Sequence, residues 1–173
     1  GIHGDDLNTI PMVWRVAETV DPGELQGQII AIPISNPPAF EAGTHLSPGD
    51  NKSLSFPGNA QGTISERIGY HLFHKVVTQA DYLIDMHGGS KSSTLAVLAG
   101  LYDGSPDTFE RAKAMAEVFN PDLIVFMKSK GGATPTGLFQ VANLNGKPAI
   151  YTGMGQMGFN EADTVRGTRG VFN

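Results

Sequence analysis

Apolar positions along the chain alternate between helical and strand-like spacing. From Leu7 to Val20, Ile10, Val13, Trp14 and Ala17 fall at helical intervals. Asp5 or Asp6 can cap that helix, and Pro11 sits in its first turns, where a missing N–H is tolerated. Asp21-Pro22-Gly23 closes it as a turn. Gln28–Ser35 (QIIAIPIS) is a short apolar run rich in isoleucine, the pattern of a buried strand. A long polar loop follows, to Gly62. Thr63 and Glu66 then form a capping-box pattern that opens a helix to Gln79, with Ile64, Ile68, Leu72 and Val76 on one face.

Asp81–His87, Thr94–Tyr102, Asp122–Met127 and Lys147–Thr152 predict four further strands. Pro106–Phe119, a short segment ending near Asn145, and a segment starting near Glu161 predict helices. Lys130–Thr136 reads as a glycine-rich loop. This alternation predicts an α/β fold, a three-layer α/β/α sandwich around a mixed, largely parallel sheet. Trp14 and the phenylalanines are expected in its core. Ligands of such sheets bind at the carboxyl ends of the strands.

Composition narrows the chemistry. The 173 residues are 40% hydrophobic and 17% charged, enough apolar material for a packed core. The net charge is −5 and no Lys/Arg cluster occurs, which argues against a nucleic-acid partner or a polybasic membrane patch. No apolar run approaches the ~20 residues of a membrane span. The absence of cysteine excludes disulfides, thiolate metal sites and a cysteine nucleophile. No Gly-x-Ser-x-Gly elbow is present, which argues against a serine hydrolase. The chain opens on Gly1-Ile2-His3-Gly4 and closes on Val171-Phe172-Asn173. The expectation is a single, partial catalytic domain over residues 1–173, a piece of a longer protein.

The strand ends carry the candidate chemistry. His3 precedes the first helix, Asp6 follows in its first turn, and His87 ends a strand. Two histidines and one carboxylate make the ligand set of an open zinc site, with a fourth position left for water. Asp85 shares a strand face with His87, because the side-chain period is two. A carboxylate there can accept the second N–H of a metal-bound imidazole. Other features read as bland. His71 and His74 are polar positions beside an apolar stripe. Lys130-Gly131-Gly132-Ala133-Thr134 lacks the order of a phosphate-binding loop. The hydroxyls from Ser90 to Thr94 line the pocket or form a turn.

Several motifs, in order, resemble one family. They are Gly1-Ile2-His3-Gly4-Asp5-Asp6-Leu7-Asn8, Asn36-Pro37-Pro38-Ala39-Phe40, Phe56-Pro57-Gly58, Ser65-Glu66-Arg67, Ile84-Asp85-Met86-His87, Pro148-Ala149-Ile150 and Gly155-Gln156-Met157-Gly158. The set is similar to the succinylglutamate desuccinylase/aspartoacylase family of zinc-dependent deacylases, which is related to the zinc carboxypeptidases. The resemblance implies a zinc-carboxypeptidase-like sheet with zinc (Zn2+) held by His3, Asp6 and His87 at the strand ends. It implies hydrolysis of an amide bond in a small N-acyl amino acid-like substrate, with His45 and Asn36 as candidate substrate contacts. No nucleic-acid or membrane partner is expected. A homo-oligomer is an open expectation, and the expected localisation is cytoplasmic.

Four departures from the family pattern fall on the site. Asp6 stands where the family has Glu, one methylene shorter. His45 stands where the family has Arg, and an imidazole cannot make the two-pronged contact of a guanidinium with a carboxylate. Leu54-Ser55-Phe56-Pro57-Gly58 lacks the Asn-Arg pair of the family motif. Gly153 occupies the position of the catalytic Glu, and losing a general base typically costs about 10²–10⁴-fold in rate. Glu161 and Glu41 are nearby acids with no spacing that favours either. The catalytic base is therefore unassigned. Two functions stay open: a zinc-dependent deacylase, and a catalytically degenerate member that binds metal or a small ligand.

Overall fold

The computed structural model describes residues 1–90, 93–128, 134–155 and 158–173. In chain order the elements are α1 (Thr9–Thr19), α2 (Pro37–Ala42), α3 (Ile64–Lys75) and β1 (Leu83–Gly88), then β2 (Leu95–Tyr102), α4 (Pro106–Phe119) and β3 (Leu123–Met127), then α5 (Leu138–Leu144), β4 (Ala149–Gly155) and α6 (Glu161–Phe172). The strands lie in the order β1-β4-β2-β3. β1 and β4 are parallel, as are β2 and β3, while β2 and β4 run antiparallel. The sheet is thus mixed and largely parallel, as the sequence predicts.

Strand alternation sorts side chains into two cores. Tyr102, Ala149 and, at its margin, Tyr151 face a cluster with Ile2, Leu54, Phe56, Phe73 and Phe139. Val97, Ala99, Leu101, Ile150 and Met154 face the opposite cluster, with Met12, Ala112, Ala116 and Phe119. α3 and α5 cover the first face; α1, α4 and α6 supply the second. This is the three-layer arrangement. α4 matches its predicted bounds because both ends are marked: Ser105 Oγ accepts from Thr108 N, Pro106 opens the helix, and Asn120 ends it in a left-handed conformation.

Four expectations are corrected. Gln28–Ser35 forms no strand. Ile29 and Ile30 are 42% and 53% exposed, and the segment shares the lining of a groove of about 770 Å³ with Tyr82–Met86 at the outer side of β1. An apolar run becomes a strand only when its backbone finds a ladder, and this one finds none. The fully buried positions of α3 are Ser65, Gly69 and Phe73; of the predicted stripe, Ile68 and Leu72 pack partly buried against the core, but Ile64, at 39%, is exposed. Gly69 sets that rotation, since a Cβ there would run into the Ser55 carbonyl oxygen. Trp14 is 53% exposed, and Phe159 and Phe172 are also exposed; the buried phenylalanines are Phe56, Phe73, Phe119 and Phe139. Neither Asp5 nor Asp6 caps α1. Its cap position is Asn8, with no side-chain cap bond, because both aspartates face the strand ends. The Lys130–Ala133 part of the glycine-rich loop, Gln156-Met157, and Ser92 lie outside the described residues.

Candidate metal centre

The first eight residues fold back on themselves. Asp6 N donates to His3 O at 3.3 Å and Leu7 N to Asp5 O at 2.9 Å. The tight turn returns the Asp6 carboxylate over His3, whose own N–H reaches Asp6 Oδ2 at 3.4 Å. The turn sits directly on α2: a Cβ at Gly4 would collide with the Ala39 carbonyl. This closeness offsets the short side chain of Asp6. It reaches His3 without the extra methylene of a glutamate.

β1 delivers the second imidazole. Asp6 Oδ2 lies 3.3 Å from His3 Nδ1 and 3.5 Å from His87 Nδ1. The ligand-capable atoms of His3, Asp6 and His87 all lie within 4.8 Å of one another. Asp85 stands behind His87, its Oδ1 3.1 Å from Nε2. Asp85 is held in turn by the Phe139 N–H, which donates to Oδ2 at 3.3 Å. Nε2 of His3 meets Ser53 Oγ at 3.2 Å. Each imidazole therefore directs Nδ1 toward Asp6 and Nε2 to an outer partner, and the Asp85 carboxylate can accept the Nε2–H of His87, the arrangement that turns Nδ1 toward a cation.

The electrostatics follow from burial and pairing. Burial disfavours the charged form of Asp6, but the His3 hydrogen bond and the charge of His87 outweigh it and hold the carboxyl below its usual value. Burial likewise opposes charging of His87, yet the charge and hydrogen bond of Asp85, with Asp6 beyond, raise it above the ordinary imidazole value. Tyr151 stacks on His87 with centroids 4.7 Å apart and planes 21° apart. Burial, and then the charges of Asp85 and Asp6, push its phenol up to about 12, so it keeps its proton at neutral pH.

The remaining predicted residues separate. His45 is at the mouth, its side chain half exposed. It stacks on His3 at 3.8 Å and its Nδ1 meets Asp5 Oδ1 at 2.8 Å. Asn36 is fully buried, and its amide is occupied: Nδ2 donates to Ile2 O and Ser47 Oγ, while Oδ1 accepts from Ala39 N and Ser47 Oγ. That corrects its expected substrate contact; Asn36 ties the His3 turn to α2. Leu54 and Phe56 are core residues, so the shortened motif around them brings no guanidinium to the site. Gly153 pairs in register with His87, and no carboxylate stands there. Glu161 is gripped on the surface by both terminal nitrogens of Arg15. Ser53 and Tyr151 escaped the sequence reading. Ser53 carries no signal. Tyr151 had one, since it lies two residues before Gly153 and therefore on the same strand face.

Fold and site together define an α/β sandwich with an imidazole–carboxylate centre at its strand ends. The chain belongs to the family of the succinylglutamate desuccinylase/aspartoacylase catalytic domain, whose model matches residues 1–173. It is 27% identical over 178 residues to the N-alpha-acetyl-L-2,4-diaminobutyric acid deacetylase of Halomonas elongata, covering 100% of this chain and 51% of that protein. The product-bound ectoine utilization protein EutE (DoeB) of Ruegeria pomeroyi superposes with a TM-score of 0.87 at 26% identity, over 99% of this chain and 53% of that one. A succinylglutamate desuccinylase/aspartoacylase from Rhodobacter sphaeroides gives 0.85 at 26% identity, over 99% and 51%. The chain spans about half the length of these relatives. Among the described residues, no helix is long and apolar enough to cross a membrane.

Proposed function

We propose that the protein is a zinc-dependent deacylase of small N-acyl amino acids, with His3, Asp6 and His87 as the metal ligands and Asp85 orienting His87. The observation that carries this reading is the convergence of His3 Nδ1 and His87 Nδ1 on one oxygen of Asp6, at 3.3 and 3.5 Å. Charged hydrogen bonds are shorter, at about 2.7–2.9 Å. Ligands of a tetrahedral zinc with bonds near 2.0–2.2 Å stand roughly 3.3–3.5 Å apart. Both separations fall in that range, which supports a shared cation. The deacetylase activity named for the Halomonas elongata relative supports an N-acetylated amino acid as substrate.

A zinc ion there would supply Lewis-acid chemistry, activating water near neutral pH and polarising an amide carbonyl. The chain's own groups do the rest. Asp85 accepts from His87 Nε2, and Ser53 meets His3 Nε2, so both rings are oriented from behind. The bulk of Tyr151 and the His45 ring narrow the approach and keep water from one flank. No side chain of the described residues stands as a general base beside His87, because Gly153 has none to offer. That last observation favours a second reading, in which the site binds metal or a small ligand without turnover.

One experiment separates the two. The protein is purified without added zinc, its metal content is measured, and a panel of N-acetyl amino acids that includes N-alpha-acetyl-L-2,4-diaminobutyrate is assayed. Near-stoichiometric zinc with turnover that disappears in His87→Ala supports the deacylase. Zinc without turnover across the panel supports the binding module. Protein that neither carries zinc nor takes it up on titration overturns the deacylase and leaves, of the second reading, only a small-ligand site.

A further inference from the structure

Gly153 leaves a gap beside His87, and the gap is filled. Tyr151 shares the strand face of Gly153 and bends its ring forward over the glycine. A Cβ at Gly153 would stand 3.0 Å from Tyr151 Cε1 and 3.4 Å from its hydroxyl oxygen. The ring is held from three sides: it stacks on His87 at 4.7 Å, meets Phe139 at 5.6 Å, and lies along β4, whose first residue is clamped to α5 by Asn143 on both Ala149 N and Ala149 O. A phenol so fixed has little rotamer freedom left to lose on binding a ligand. Its hydroxyl, however, has no hydrogen-bond partner among the described residues. Phenolic O–H groups in such partly buried places usually find one. The glycine and the tyrosine are therefore a couple. The small residue makes the room, and the large one brings an unmatched donor into it, beside an imidazole of the candidate metal centre.

We propose that Tyr151 is a substrate-contacting residue, whose O–H donates a hydrogen bond to the carbonyl oxygen of the N-acyl group at the metal centre. This rests on the deacylase reading of the same site. The tyrosine steadies the negative charge that grows on that oxygen as water adds to the carbonyl carbon. It does not act as a base. It replaces the missing carboxylate in volume but not in chemistry, so the couple shifts the site from proton abstraction toward electrophilic assistance.

Tyr151→Phe is the discriminating variant, since it keeps the ring on His87 and removes only the O–H. Three quantities are compared with wild type: zinc affinity, kcat and KM on the N-acetyl amino acid panel, and affinity of the zinc-loaded protein for acetohydroxamate, a carbonyl-bearing probe. The expected result is zinc affinity within about two-fold, kcat reduced by roughly 10–100-fold with KM little changed, and acetohydroxamate bound roughly 3–10-fold more weakly. If wild type binds zinc and acetohydroxamate but turns nothing over, the deacylase reading fails, and the weaker acetohydroxamate binding still upholds the contact. Equal acetohydroxamate affinity in the two proteins overturns the proposal. A loss of zinc affinity in Tyr151→Phe also overturns it, since the tyrosine would then act only by supporting His87.

Discussion

On the wall built by residues 1–8 and β1, every chemically useful side chain has a partner. His3 meets Asp6 and Ser53, and His87 meets Asp6 and Asp85. Asp85 is pinned in turn by the Phe139 N–H. On the neighbouring wall, where β4 lies beside β1 in the sheet and His45 stacks on His3, the groups are unlike those of the family pattern: a glycine at 153, a tyrosine curled over it, and an imidazole at 45 in place of a guanidinium. In the proposed function, the first wall would hold the cation and the second would meet the substrate. A cation site tolerates little, because ligand distances are set within tenths of an ångström. A substrate wall can be rebuilt around a different acyl group or amino acid. On the proposed reading the difference makes metal binding and turnover separable, and each can be perturbed alone.

The largest effect is expected on the first wall. His87→Ala removes one of three proposed donors and leaves Asp6 with His3 alone and Asp85 with only the Phe139 N–H. Zinc affinity should fall by well over ~100-fold, read by competition with a chromophoric chelator. Wild-type affinity in that variant would break the comparison, because the cation would then sit elsewhere. Asp85→Asn is the milder version. Loss of an outer partner of a metal-bound histidine typically costs 10–100-fold in metal affinity. The amide can still accept from Phe139, so the fold should survive with a nearly unchanged melting temperature.

The second wall is tested by Gly153→Glu. With Tyr151 in place, the new Cβ lies 3.0 Å from the ring, tighter than packed cores accept. The variant should lose roughly 1–3 kcal/mol of stability by denaturant titration and gain no activity. Pairing it with Tyr151→Ala should recover stability. A single Gly153→Glu that is fully stable and faster than wild type would show that the tyrosine moves freely, and the two walls would then differ less than the geometry says.

The two walls also differ in how far the sequence disclosed them. His3, Asp6, Asp85 and His87 were legible because each lies at a predictable element boundary, and because alternation along β1 places Asp85 and His87 on one face. α4 was legible to the residue because both its ends carry strong caps. Asn36 was misread because a buried polar residue looks the same in sequence whether its amide faces a ligand or the backbone of Ile2 and Ala39. Gln28–Ser35 was misread because apolarity reports burial or a groove equally well, and only a hydrogen-bonded neighbour decides between them. Tyr151 was passed over because its importance lies in what Gly153 lacks, a relation between two positions rather than a property of either.

The smallest expected effect tests how the roof over His3 is anchored. Ser53, which touches His3, is carried on a loop that Asp50 ties to the start of α3. Asp50 Oδ2 accepts from Ser65 N at 3.1 Å, and Oδ1 accepts from Ser65 Oγ at 3.0 Å and from Lys52 N at 3.1 Å. Burial opposes the charged form, but the Ser65 hydroxyl and the N–H groups of Ser65 and Lys52 help outweigh it, so the carboxyl titrates below its ordinary 3.8. A folded-state value below the unfolded one means that stability is present above about pH 4 and is lost as pH falls through the lower folded value. Asp50→Asn should therefore cost about 1 kcal/mol, the usual worth of a helix-start acceptor. The melting-temperature gap to wild type should stay constant from pH 7 to about 5 and close as the solution is taken below pH 4. Zinc affinity should change by less than the loss seen in Asp85→Asn, because Asp50 holds only the loop and Asp85 holds the ligand itself. A gap that widens in acid would mean that the Asp50 carboxyl is more basic when folded, and the anchoring drawn from its three hydrogen bonds would be wrong.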